Sequence, residues 1–178
     1  MDLRERIRSV PGWPIDSVTF RDIATLLQDP EAFQWTCDQF YHRYRDTGVQ
    51  KIVGIDARGF LFGAVLAYKL GVGFIAVRKQ GKLPPPVISQ EYKLEYGSSV
   101  VEIGQEGIAP GEKVVIVDDL IATGGTAAAT VALVEKVGGE IIELAFVIDL
   151  PDLNGKARLK GHKVFCLVEF NESSASGQ

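Results

Sequence analysis

The sequence predicts an α/β protein, a mostly parallel twisted sheet with helices on both faces. Short apolar, β-branched runs at 51–56, 73–78, 114–117, 141–148 and 163–168 read as buried strands. Helical patterns lie between them, at 60–69 and at about 126–137. Strands that alternate with helices pair in parallel, and such sheets are covered on both sides.

Taken in order, Leu3, Ile7 and Val10 recur at helical spacing and predict a short amphipathic helix ended by Pro11-Gly12. Residues 16–20 read as extended. Asp29 and Pro30 start a longer helix, with Asp as N-cap and Pro at the first helical position. Phe33, Cys37, Phe40, Tyr41 and Tyr44 recur on one face of it, and Gly48 is its expected end. The strand at 51–56 leads to the helix at 60–69, which Gly71 stops, and then to the strand at 73–78. Residues 79–86, Lys-Gln-Gly-Lys-Leu-Pro-Pro-Pro, cannot be helical and predict a mobile loop. Extended pieces around Gly97 predict a hairpin rather than core sheet. After Pro110-Gly111 come the central strand, the helix at 126–137, a Gly138-Gly139 stop and two further strands. Trp13 and Trp35 read as packing residues, His42 and His162 as surface residues. The polar end, 171–178, is expected to be disordered. No repeat and no linker divides the chain, so a single domain over 1–178 is expected.

Hydrophobic residues are 46% of the chain and charged residues 24%, the proportions of a globular protein with a sizeable core. The net charge of −4 favours neither nucleic acid nor an anionic membrane, so an anionic ligand must be met by local cations and backbone donors. Cys37 and Cys166 are isolated, with no metal spacing, and both lie in apolar segments. Buried free thiols and a reducing compartment are expected. Met1–Arg6 has no apolar h-region, and no apolar run reaches the ~20 residues of a membrane span. The cytoplasm is the expected location.

The run Val114–Thr126 carries most of the functional information. Four apolar residues form a strand, and Asp118 and Asp119 stand where it is expected to end. Ala122, Thr123, Gly124, Gly125 and Thr126 then form a short loop opening a helix. Ligands of open α/β sheets bind beyond the carboxyl ends of the strands. Glycines let backbone N–H groups approach a phosphate, and the helix start adds partial positive charge. Thr123 and Thr126 add hydroxyl donors. The carboxylates repel phosphate and suit ribose hydroxyls, so the element reads as a ribose-5-phosphate cradle. The dinucleotide pattern G-x-G-x-x-G and the P-loop ending Gly-Lys-Ser/Thr do not occur.

Asp56-Ala57-Arg58-Gly59-Phe60 repeats the logic: a strand ends, the chain turns and a helix begins. Arg58 is then a fixed cation beside helix-start amides, suited to a diphosphate. Arg78, Lys79 and Lys82 place three cations at a strand end and in the loop. Glu95 is either a proton donor to a nitrogen heterocycle or a solvated hairpin carboxylate. Phe20 either stacks on a flat base, with the backbone of Thr19 and Arg21 reading its edge, or packs in the core.

The Asp-Asp…Thr-Gly-Gly-Thr run resembles the 5-phosphoribosyl 1-diphosphate (PRPP) motif of type I phosphoribosyltransferases. With Phe20-Arg21-Asp22-Ile23, Ala57–Gly63, Arg78–Pro84 and Leu94–Gly97 in this order, nearly the whole chain is similar to the adenine phosphoribosyltransferase family. The resemblance implies that family's fold, with a small N-terminal base-binding hood at about 1–30 and a flexible catalytic loop and hairpin at 79–100. It implies purine salvage: adenine and PRPP give AMP and diphosphate with Mg²⁺, held through substrate oxygens and water rather than directly by the protein. By position, Ala122 to Thr126 would hold the 5′-phosphate, and Asp118 and Asp119 the ribose. Arg58, with Lys79 and Lys82, would bind diphosphate. Phe20 and Leu150 would sandwich adenine, Thr19 and Arg21 would read it through main-chain atoms, and Glu95 would be its acid/base partner. A homodimer is implied as well. A 6-oxopurine enzyme would need a base-site lysine, for which no clear candidate exists. A PRPP- or purine-sensing regulator usually needs an added DNA-binding module, for which the chain has no spare length. Gln80, Pro84-Pro85-Pro86 and Asp149–Leu153 depart from the family's commoner forms and bear on loop closure and base contacts.

Overall fold

The computed structural model describes residues 1–93 and 97–171. A 3₁₀ turn at Leu3–Glu5 precedes β1 (Arg8–Pro11) and β2 (Thr19–Asp22), which pair antiparallel as a small separate sheet. Next come α1 (Ala24–Gln28), α2 (Pro30–Tyr44), β3 (Lys51–Ile55), α3 (Gly59–Leu70) and β4 (Gly73–Lys79). The antiparallel pair β5 (Val87–Lys93) and β6 (Ser98–Gly104) follows, then β7 (Lys113–Ile121), α4 (Gly125–Lys136), β8 (Glu140–Asp149) and β9 (Val164–Glu169). Two 3₁₀ turns, Pro151–Leu153 and Gly155–Leu159, join the last two strands.

The main sheet has seven strands in the order β5-β6-β4-β3-β7-β8-β9, the last five parallel. Period-two alternation sorts the side chains of β7 to opposite faces. Val115 and Val117 join a core with α2 and α3, while Val114 and Ile116 join a core with α4. Both faces are therefore covered, as the strand–helix alternation predicts. The Asp29 carboxylate accepts from the Glu31 and Ala32 amides, and Pro30 stands at the first position of α2, as expected for that helix start. No helix among the described residues is long and apolar enough to cross a membrane. Cys37 is buried and Cys166 half-buried, and both are free. Burial pushes their thiols up, to about 11 and about 12, so both stay protonated at neutral pH.

Several elements differ from the sequence expectation. Leu3, Ile7 and Val10 do not share a helix. Leu3 and Ile7 reach the core from a 3₁₀ turn and the segment after it, and Val10 lies in β1 opposite Phe20. Pairing with β2 overrides the local periodicity. The hairpin is not separate from the core sheet: β6 pairs with β4, and Val101 and Ile103 are buried. α2 ends at Tyr44, before Gly48. Trp13 is 53% exposed, its ring edge-on to Phe20 at 4.6 Å, so only Trp35 packs against the core.

A part-buried polar cluster joins α2 to β8. Arg43 donates to both Glu143 oxygens, at 2.5 and 2.8 Å, and lies over the Phe165 ring at 3.9 Å. The Tyr44 hydroxyl donates to Glu143 at 2.7 Å. Burial pushes the Glu143 carboxyl up, but the hydrogen bonds from Arg43 and Tyr44 outweigh it and hold the group below its ordinary 4.5. A lowered folded pKa gives stability that is complete above 4.5 and lost as pH falls through the depressed value. Glu143→Gln should cost about 1–3 kcal/mol at pH 7, below the ~3–5 kcal/mol of a fully buried broken pair because Arg43 is partly solvated. Urea unfolding at a series of pH values checks this: the variant should also lose less stability than the parent on acidification below about 4.5.

Candidate active site

The site begins with a mismatch between two ladders. Pairing of β7 with β3 stops at Gly54–Val117, whereas its pairing with β8 continues to Ile121–Asp149. Asp118 and Asp119 are thus inside β7 on the β8 side, not beyond its end, and only the β3 side is open. The Asp56 amide donates to Val77 O at 2.9 Å, so β3 stays paired with β4 through Ile55, one residue past its last pair with β7. The crossover through α3 runs one way along the sheet and that through α4 the other. The crevice between β3 and β7 is the topological switch point, where doubly wound sheets bind ligands.

A cavity of about 230 Å³ fills the crevice, lined by Asp56, Arg58, Lys79, Tyr92, Asp118, Asp119 and Thr126 among others. A second, of about 210 Å³, continues along the loop Ala122–Thr126. Arg58 Nε donates to the Asp119 carboxylate, which is 3% exposed. The Asp119 amide donates to Asp118 Oδ1 at 2.8 Å. Burial, and then the charge of Asp119, push the Asp118 carboxyl well above the usual aspartate range. The pair therefore combines one ion-paired carboxylate with one that holds a proton more readily.

Gly59 makes this closeness possible. A Cβ there would stand 2.7 Å from Val117 O and 2.9 Å from Asp118 Oδ1, so α3 can start against β7 only with a glycine. The Asp56–Ala57 peptide before it is cis. On the opposite wall Gly124 has φ 77° and precedes α4, and the Thr126 hydroxyl donates to Tyr92 at 3.2 Å.

A third cavity, of about 430 Å³, lies under the two-stranded sheet and is lined by Thr19, Arg21, Thr123, Leu150, Leu153 and Phe170 among others. Thr123 is common to it and to the loop cavity. Phe20 is not in its lining. It points to the other face of β2, toward Trp13, with the Arg58 guanidinium 5.8 Å from its ring centre. Gly12 N bonds Val18 O at 2.8 Å, so the bonded pairs of this ladder are Gly12–Val18, Val10–Phe20 and Arg8–Asp22. The peptide groups of Thr19 and Arg21 therefore point away from β1, toward the other edge of β2.

The structure thus gathers Arg58, Asp118, Asp119, Lys79 and Ala122–Thr126 around one crevice, and places Thr19, Arg21 and Leu150 on an adjoining cavity. Lys82 is not in the crevice lining. It is exposed in the turn beyond β4, where its carbonyl accepts from Arg78 at 3.2 Å. Glu95 lies outside the described residues. Sequence reasoning assigned nothing to Asp56, which receives Arg78 Nε at 2.8 Å, or to Tyr92. Asp56 stands in the same turn as Arg58, which was a usable signal. Tyr92 had none, because its partner is on α4.

A doubly wound sheet with an acid pair and a glycine loop at its switch point defines a phosphoribosyltransferase domain. The family model described as "Phosphoribosyl transferase domain" matches residues 25–175. The chain is 61% identical over 170 residues to the adenine phosphoribosyltransferase of Desulfosudis oleivorans, covering 96% of this chain and 98% of that protein. Its structure is similar to the adenine phosphoribosyltransferase of Thermoanaerobacter pseudethanolicus, with a TM-score of 0.91 and 42% identity over 94% of this chain and 98% of the other. It is similar too to the Saccharomyces cerevisiae enzyme, solved with an imino-altritol bisphosphate and adenine, with a TM-score of 0.88 and 39% identity over 93% and 96% of the two chains. The chain belongs to the adenine phosphoribosyltransferase family.

The Gly59 contact can be tested directly. Gly59→Ala should destabilise the fold by about 1–3 kcal/mol, since the atoms it meets are backbone and a short buried side chain. Urea unfolding measures it, and parent-like stability would show that the helix start has room.

Proposed function

We propose that this chain transfers the phosphoribosyl group of PRPP to adenine, giving AMP and diphosphate in purine salvage. The observation that carries this reading is the switch-point crevice, where the Asp118–Asp119 pair and the Ala122–Thr126 loop face Arg58. The amides and hydroxyls of Ala122–Thr126 take the 5′-phosphate at the start of α4. Asp118 and Asp119 accept from the ribose hydroxyls. Arg58, aided by Lys79 and by Lys82 from the loop, takes the diphosphate, giving up part of its contact with Asp119. The edge of β2 supports main-chain reading of adenine by Thr19 and Arg21, with Phe20 and Leu150 against its faces. Residues 1–30 act as the base hood and 79–100 as the loop and hairpin that exclude water, all within one catalytic domain.

In the reaction the C1–O bond to diphosphate breaks as the C1–N bond to adenine forms, and the electron pair leaves with diphosphate. Positive charge builds on the ribose, so neutralising the departing anion lowers the barrier. Arg58 does so from a helix start. Asp118 and Asp119 offer hard oxygen acceptors that would suit the water shell of a Mg²⁺ ion brought in by the substrate. Mg²⁺ held there would supply further neutralisation of leaving-group charge. Glu95 exchanges a proton with the purine.

Leu61, Ala64 and Tyr68 share an exposed face of α3, Tyr68 being 86% exposed, which supports burial of that face in a homodimer. The two free cysteines support a reducing, cytoplasmic location.

The test is a competition. Purified protein, Mg²⁺ and PRPP are mixed with equal adenine, hypoxanthine, guanine and orotate, and the nucleotides are resolved. AMP alone is expected. IMP or GMP would overturn the base assignment, and no nucleotide would overturn the reaction. Arg58→Gln should lower kcat/KM for PRPP by roughly 10²–10³, the scale for losing one positioned donor to a developing anion. Steady-state kinetics with varied PRPP reads this, and a loss under about threefold would remove Arg58 from the chemistry.

A further inference from the structure

β8 ends on a buried charge outside the reaction scheme. Asp149 is 2% exposed, and Lys156 Nζ binds its carboxylate at 2.5 Å. A buried carboxylate requires such a partner. Lys156 also lies 3.5 Å from Glu169 at the end of β9. The residue before it, Gly155, starts the 3₁₀ turn Gly155–Leu159 and sits directly against the loop between β7 and α4. A Cβ on Gly155 would stand 2.2 Å from Ala122 O and 2.9 Å from Gly124 N. A Cβ on Gly124 would stand 2.4 Å from Gly155 O. The two backbones are in contact with no side chain between them.

Besides β7 and α4 at its two ends, the loop is held by few side chains, the Thr126–Tyr92 hydrogen bond among them. Gly124, at the N-cap of α4, supplies no side-chain hydrogen bond. Its amides must nevertheless converge on one anion, and small displacements of positioned donors are costly. The Leu150 amide bonds Ile121 O at 3.1 Å, tying the same two segments just before the loop. Leu159, 2% exposed, anchors the far end of the turn in the core that contains α4. The Lys156–Asp149 ion pair lies between these two fixed points, one residue beyond Gly155.

We propose that Lys156 is a positioning residue for the phosphate loop: its ion pair with Asp149 seats the Gly155 backbone against Ala122 and Gly124 and holds the loop in anion-binding shape. This rests on the reading of Ala122–Thr126 as the 5′-phosphate site. It assigns a role to the 3₁₀ turn after β8 that the base and diphosphate contacts do not use. The effect falls on the 5′-phosphate end of the substrate: Gly155 touches the loop alone, whereas Lys79 lines only the cavity between β3 and β7 and Arg58 borders both cavities.

The experiment uses ribose 5-phosphate and inorganic diphosphate as separate probes, titrated by calorimetry into the parent, Lys156→Met and Lys156→Arg, with thermal melts alongside. Lys156→Met should weaken ribose 5-phosphate about tenfold or more while leaving diphosphate within about twofold. Lys156→Arg, which keeps the charge, should stay within about threefold of the parent for both. Unchanged ribose 5-phosphate binding by folded Lys156→Met, or equal weakening of both probes, overturns the proposal in favour of a merely structural ion pair. If Lys156→Met does not fold, Gly155→Ala decides. Selective loss of ribose 5-phosphate supports the contact, and parent-like binding overturns it. A parent protein that binds diphosphate but not ribose 5-phosphate overturns the reading of the loop itself, and the proposal with it.

Discussion

The site depends on β7 losing one neighbour before the other. β3 leaves it after Val117, and β8 stays with it to Ile121. Had both ladders ended together, Asp118 and Asp119 would stand in a solvated loop. Had both continued, they would be sealed in the sheet. With one side bonded, the acid pair has the rigidity of a strand and the access of an edge. β3 itself stays paired with β4 through Ile55, so the crevice lies on its β7 side. Gly59 then sets how near the start of α3 comes to the acids. Carboxylates, helix-start amides and Arg58 are consequences of one register.

Charge is arranged to suit an anionic substrate inside an acidic protein. The chain carries −4 overall, so attraction must be local. Arg58 is paired with Asp119, which keeps its guanidinium at the crevice, and Arg78 is paired with Asp56, whose carboxylate lines it. An arginine held by one carboxylate still has donors to offer, because its fork carries five N–H groups. The raised Asp118 belongs to the same economy of space: burial beside Asp119 disfavours a second negative charge there.

What was legible in the sequence had its partners close in the chain. Asp29 caps its own helix, and the Val114–Thr126 run holds strand, acids, loop and helix start in one stretch. The local pattern also gave the strand–helix alternation, hence the sheet and its two covered faces. Features with distant partners were not legible. Val10 becomes a strand residue only because Phe20 lies opposite. β6 belongs to the core sheet because β4 accepts it. Gly155 reads as an ordinary turn glycine until Ala122 and Gly124 are seen against it. Phe20 and Leu150 were named together, yet the strand alternation that separates Phe20 from its neighbours Thr19 and Arg21 follows from the β1–β2 register, which periodicity misjudged.

The two ends of the crevice are fastened with different strength. The phosphate loop is framed by β7, α4 and the Gly155 turn, all in backbone contact and backed by fully buried side chains such as Leu133 and Leu144. The turn after β4 is fastened by a few hydrogen bonds: Gly81 N to Glu102 at 2.9 Å, Gln80 N to Val100 O at 3.1 Å and Arg78 to Lys82 O at 3.2 Å. Each is worth about 0.5–1.5 kcal/mol net, so together they amount to a few kcal/mol, the scale of one or two charge-assisted contacts to a diphosphate. Glu102 is 5% exposed, so its hydrogen bond to Gly81 N draws the turn toward a fixed carboxylate. The Ala122–Thr126 loop is thus the more firmly framed end of the crevice. Lys79 and Lys82, proposed to aid Arg58 with the diphosphate, stand on a segment whose contacts can be exchanged for it.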